Sequence, residues 1–117
     1  MTTTKPEFPL DPEEFKRRLG AMHDSYLAKV PGKIADIEAL WQQARTALPA
    51  DESRKALLLE THTLAGGSPG LGCEVLGAAA SELEVALRIA FARGGALSGE
   101  EAAAIDALVE KLRQSFV

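Results

Sequence analysis

Residues 52–72 read ESRKALLLETHTLAGGSPGLG. An α-helix turns by about 100° per residue, so with Leu57 at zero, Thr61, Leu64, Ser68 and Leu71 all fall within about 40° of it. That is one helical seam, and a helix with such a seam buries it against neighbours. The opposite side is less ordinary. His62 lies about 140° from Leu57, and its neighbours on that side are Lys55, Leu58, Leu59, Ala65, Gly66 and Pro69. A helix normally turns charge outward; this one turns out mostly apolar and small side chains around an imidazole.

Upstream, Asp11-Pro12-Glu13-Glu14 reads as a helix start: Asp11 as N-cap, proline at the first helical position, Glu14 closing a capping box. Phe15, Leu19, Met22, Tyr26 and Val30 follow as one stripe. Pro31-Gly32 is expected to kink or break the helix, because proline lacks an N–H and crowds the preceding turn. The stripe resumes at Ile34, Ile37, Leu40, Trp41, Ala44 and Leu48. An unbroken helix over 11–48 would be roughly 55 Å long, well beyond its neighbours, so a separate N-terminal helix is expected ahead of the bundle helix. Pro49-Ala50-Asp51 is the next turn, with Asp51 as cap.

Downstream, Leu76, Ala79, Leu83, Leu87 and Ala90 mark another helix over about 73–93, stopped by Gly94-Gly95. Ser98 and Glu101 form a capping box for the last helix, with the stripe Ile105, Leu108, Leu112 and Phe116. Short connections force antiparallel neighbours. The expected fold is all-α: an up-down-up-down antiparallel four-helix bundle with an additional N-terminal helix. Residues 1–10, with Pro6 and Pro9, are expected as a flexible lead-in, and 11–117 as the bundle domain.

Composition agrees. Alanine occurs 20 times and leucine 16 times in 117 residues, with aromatics at 5%, a bias toward helices. The net charge of −4 without a basic cluster argues against nucleic acid as a partner. No apolar run approaches the roughly 20 residues of a membrane span, and Met1–Leu10 lacks a secretory signal pattern. The single Cys73 has no internal disulfide partner, which suits a reducing, cytoplasmic setting. No exposed heptad seam is evident beyond the bundle's own, so a monomer is expected.

Several chemistries can be weighed for His62. A metal site would want a second ligand at three or four residues' spacing, where Leu58, Leu59, Ala65 and Gly66 stand. A bundle metalloenzyme would want inward Glu-x-x-His pairs, and there are none. A general base would want an orienting carboxylate, and Glu60 lies about 160° away around the helix. What remains is the imidazole itself as a nucleophile toward a group brought by another molecule. A lone helical histidine is nevertheless more often an ordinary solvated residue, the reading given to His23.

Residues 62–72, His62-Thr63-Leu64-Ala65-Gly66-Gly67-Ser68-Pro69-Gly70-Leu71-Gly72, resemble the signature of histidine-containing phosphotransfer (HPt) domains: His, any residue, Leu, usually Lys, Gly, two small residues, Leu-Gly. Ser81-Glu82-Leu83-Glu84 is similar to that family's next helix, and Phe15 through Leu40 to its first. The resemblance spans about residues 11–116. It implies a phosphorelay module in which His62 accepts a phosphoryl group, at Nε2 in the family, from a receiver-domain aspartate and passes it on. Leu64 would belong to the core and Gly66 would leave room for the group.

On that reading the chain is a phosphoryl carrier with no kinase activity and no cofactor of its own, Mg²⁺ residing on the receiver. Its partners would be a response-regulator receiver or a hybrid histidine kinase, docked on Leu58, Leu59, Ala65, Gly66, Pro69 and Lys55. One departure stands out. Ala65 occupies the family's usual lysine position, which favours a second reading: a degenerate, non-catalytic adaptor that binds a receiver or kinase without being phosphorylated.

Overall fold

The computed structural model describes residues 11–46, 52–71 and 73–116. Four α-helices account for nearly all of them: α1 (Pro12–Ala44), α2 (Glu52–Gly67), α3 (Glu74–Ala92) and α4 (Gly99–Gln114), with a 3-10 turn at Pro69–Leu71 between α2 and α3. There is no strand among the described residues. The lead-in 1–10, Leu48 and the Asp51 cap lie outside them.

Cross-helix contacts fix the topology. The Arg54 guanidinium donates to the Ala44 carbonyl, at the end of α1, while Tyr26 meets Ser68 beyond the end of α2, so α1 and α2 are antiparallel. Arg54 stacks on Phe91, His62 pairs with Glu84, and Pro69 packs on Gly77, which runs α3 back along α2. Lys111 reaches Glu82 and Arg93 reaches Glu101, reversing α4 against α3. Trp41 and Arg45 bond Asp106, closing α1 onto α4. The result is an up-down-up-down bundle.

The core follows the helical seams. Leu57, Thr61, Leu64 and Ser68 are buried, as are Leu76, Ala79, Leu83, Leu87 and Ala90 of α3. On α4, Ile105, Val109 and Leu112 are buried, whereas Leu108 and Phe116 are only partly so; Val109 takes the core position that the spacing assigned to Leu108. Ser98 and Glu101 make the full capping box. At α1, Asp11 accepts from the Glu14 N–H at 2.8 Å, but the Glu14 side chain turns to Arg17 and Arg18 instead of closing the box. Gly94 sits at φ +63°, the left-handed conformation that ends α3.

The expected separate N-terminal helix is absent. α1 runs without interruption through Pro31 for 33 residues, about 50 Å. Pro31 forfeits a single backbone bond on the exposed side, while Val30, Ile34 and Ile37 are held in the core on either side of it. The length mismatch is resolved by overhang. Tyr26 stands level with Ser68, so residues 12–25 extend past the end of α2 by about 21 Å. Phe15, Leu19 and Met22, which the spacing sets on one stripe, are 46%, 47% and 57% exposed. No helix among the described residues is long and apolar enough to cross a membrane.

Candidate functional site

His62 sits in the middle of α2 on the side away from the Leu57–Leu64 seam, with its side chain 63% exposed. Its Nδ1 lies 2.8 Å from Oε2 of Glu84 on α3. The same carboxylate oxygen accepts from Arg88 one turn later, at 2.7 Å from Nη2 and 3.0 Å from Nε. Glu84 is 14% exposed and Arg88 more than half. Burial works against ionising Glu84, but the hydrogen bonds and charges of Arg88 and His62 outweigh it and hold the carboxyl below its ordinary range.

This geometry selects a tautomer. An ionised carboxylate can only accept, so the imidazole nitrogen facing it carries the proton. In the neutral ring, Nε2 then keeps the lone pair, on the ring edge away from Glu84. The arrangement is a nucleophilic nitrogen presented to solvent with its partner nitrogen anchored, and with a carboxylate ready to balance positive charge that develops on the ring.

The neighbours of His62 divide into two groups. Leu59, Gly66, Pro69 and Lys55 are exposed around it, and a methyl group built on Gly66 would meet nothing within 4 Å. Ala65 and Leu58 differ from the expectation of an open face: Ala65 is only 8% exposed and belongs to the core, and Leu58 is partly buried against it. The reason is angular, since these two lie nearest the seam, at about 80° and 100° from Leu57. Pro69 has a structural duty as well. Its ring fills the space over Gly77, where an added Cβ would come within 2.7 Å of it. Ser68 and Thr61 do not touch the imidazole: each hydroxyl donates to the carbonyl four residues earlier, and Ser68 also accepts from Tyr26 at 2.6 Å. Among the described residues no group of three or more His, Cys, Asp or Glu side chains is placed to hold a metal ion.

Glu84 and Arg88 are site residues that the spacing within α2 does not reveal. The carboxylate beside the imidazole comes from α3 and not from Glu60 of the same helix. The signal for Glu84 lies in the tight connection between α2 and α3, which mirrors His62 onto residue 84 once the hairpin closes at Pro69–Gly77.

Comparison with curated proteins gives no match, and neither does comparison with solved structures. A family model described as "Hpt domain" matches residues 22–115, a span that holds all of α2, α3 and α4 and with them His62, Glu84 and Arg88. The chain therefore belongs to the Hpt domain family, the phosphotransfer modules of two-component systems.

Proposed function

We propose that His62 is the phosphoryl carrier of this domain. Its Nε2 attacks the phosphorus of a receiver-domain aspartyl phosphate. The N–P bond forms as the acyl phosphate P–O bond breaks, and the aspartate leaves as a carboxylate. The proton stays on Nδ1, where Glu84 balances the cationic ring. The reverse step returns the group to a second receiver. Mg²⁺ and the groups that stabilise the transferring phosphoryl are supplied by the receiver, and the exchange takes place in the cytoplasm.

The observation that carries this reading is the pairing of an anchored Nδ1 with a ring otherwise open to solvent. A second feature bears on the missing lysine. Ala65 is turned into the core, and the cation at the ring's anchor is Arg88 on α3, which bonds the same Glu84 oxygen as Nδ1.

The test is phosphoryl transfer from a labelled receiver. His62→Gln should abolish labelling while leaving the helical circular dichroism unchanged; undiminished transfer in that variant would remove His62 from the role. The absence of lysine at position 65 supports the adaptor reading as the alternative. Under non-acidic mass spectrometry, receiver binding without phosphohistidine on the wild-type chain would select it.

A further inference from the structure

Among the ion pairs of the described residues, Glu84 is the least exposed carboxylate, at 14%, while the others are 27% exposed or more. It also carries a concentrated load. Nδ1 of His62 and Nε and Nη2 of Arg88 all converge on Oε2, at 2.8, 3.0 and 2.7 Å. A Glu–Arg pair one turn apart on a helix surface is ordinarily a minor stabiliser. This one has a further consequence. Two donors from one edge of a planar guanidinium, closing on a single oxygen, fix where that oxygen sits.

We propose that Arg88 is a positioning residue for His62: through Glu84 it keeps the ring proton on Nδ1 and leaves the lone pair on Nε2. The nitrogen that holds the proton of a neutral imidazole is set by the hydrogen bonds the ring makes. A glutamate side chain has three rotatable bonds, so a carboxylate released by Arg88 is free to swing Oε2 away from Nδ1. Burial pulls it the same way, since an ionised carboxylate is better solvated in water. Against that burial, the Arg88 hydrogen bonds do most to keep the Glu84 carboxyl ionised. The inference rests on the carrier reading of His62 only for its effect on transfer. For the tautomer it rests on the geometry of the three side chains alone.

Ring ¹⁵N magnetic resonance of the free chain, at a pH where imidazoles are neutral, reads the tautomer without any receiver. His62 of the wild type should be mainly the Nδ1–H form. Arg88→Ala should shift it toward the Nε2–H form, with His23 on α1 unchanged as the internal reference. Arg88→Gln, which keeps length without charge, should shift it in the same direction should the alanine variant lose helix. Arg88→Lys, which keeps the cation but not the planar fork, should recover part of the wild-type preference. In transfer from a labelled receiver, Arg88→Ala should slow the rate about 3-fold, and should add nothing once Glu84 is alanine. A wild-type ring in the Nε2–H form overturns the proposal, as does a tautomer that neither Arg88→Ala nor Arg88→Gln moves. A loss of transfer of equal size with and without Glu84 also overturns it, and assigns Arg88 to direct contact with the phosphoryl group or the receiver. If the wild type accepts no phosphoryl group at all, the carrier reading fails, while the tautomer shift still decides the role of Arg88.

Discussion

The molecule contains two versions of the same cluster. In one, Asp106 on α4 accepts from the Trp41 ring N–H at 2.7 Å and from both ends of the Arg45 fork at 2.8 and 3.1 Å. In the other, Glu84 on α3 holds the His62 ring nitrogen at 2.8 Å and Arg88 at 2.7 and 3.0 Å. Each is a carboxylate that joins an aromatic ring on one helix to an arginine. They differ in what lies on the far side of the ring. Trp41 is 1% exposed, so its indole is spent on packing, and its only polar atom is already satisfied. His62 is open and has a second nitrogen. The same anchoring chemistry makes a strut in one place and leaves a ring nitrogen open to solvent in the other.

The sharpest way to break this comparison is to remove the rings. Trp41→Ala should cost about 3–5 kcal/mol in urea unfolding, the range for deleting a buried large aromatic. His62→Ala should cost no more than about 0.5 kcal/mol, as for other exposed positions, yet abolish transfer. If the two variants lose similar stability, His62 is a structural residue and the contrast fails.

Changing the carboxylates should give smaller and opposite-facing effects. Asp106→Asn weakens charge-assisted bonds at a half-exposed junction of α1 and α4, with an expected loss of about 1–2 kcal/mol and no change in transfer. Glu84→Ala should lower the transfer rate by ~10-fold or more, since the imidazole loses both its tautomer preference and its counter-charge. Glu84→Gln, whose amide oxygen still accepts from Nδ1, should recover part of that rate. A merely structural glutamate would show its effect in unfolding rather than in transfer, with no such recovery.

The layout of the bundle was legible because burial follows angle. The seam through Leu57, Thr61, Leu64 and Ser68 and the α3 stripe from Leu76 to Ala90 are buried as their spacing implies. The capping box at Ser98 was legible because it is a local hydrogen-bond pattern. His62 could be singled out for the same angular reason. Pro31 does not end α1, against the expectation from its missing N–H, because the packing of Val30, Ile34 and Ile37 around it outweighs one lost backbone bond. The exposure of Phe15, Leu19 and Met22 was not legible, because periodicity shows that a face is apolar and not whether anything lies against it. Glu84 stayed hidden because its bond to His62 depends on the register between two helices, which the period within either helix does not set.

Acid separates the clusters less strongly. Asp106 is held below the ordinary carboxylate range chiefly by the Trp41 hydrogen bond and then by Arg45, against the opposing effect of burial. Glu84 is shifted in the same direction. A folded-state pKa below the unfolded value contributes stability that is present above about pH 4 and is lost as the pH falls through the folded value. Unfolding free energy measured between pH 6 and pH 2 should therefore fall with acid in the wild type, and more gently in Asp106→Asn and Glu84→Gln. A steeper acid loss in either variant contradicts the assignment.

The smallest expected change in stability tests the open side of the His62 ring directly. A methyl group at Gly66 meets no neighbouring atom within 4 Å, so Gly66→Ala should fold normally. It should even gain up to about 0.5 kcal/mol, because alanine restricts the unfolded chain more than glycine, though the position next to the helix end limits the benefit. The same methyl projects one turn after His62, into the space that the proposed transfer assigns to an incoming phosphoryl group and its receiver. Transfer should consequently slow several-fold while the melting temperature holds or rises. A variant that is both more stable and fully active would mean that the approach to Nε2 does not pass over Gly66. The docking face would then have to be placed on the α3 side of the ring, around Arg88.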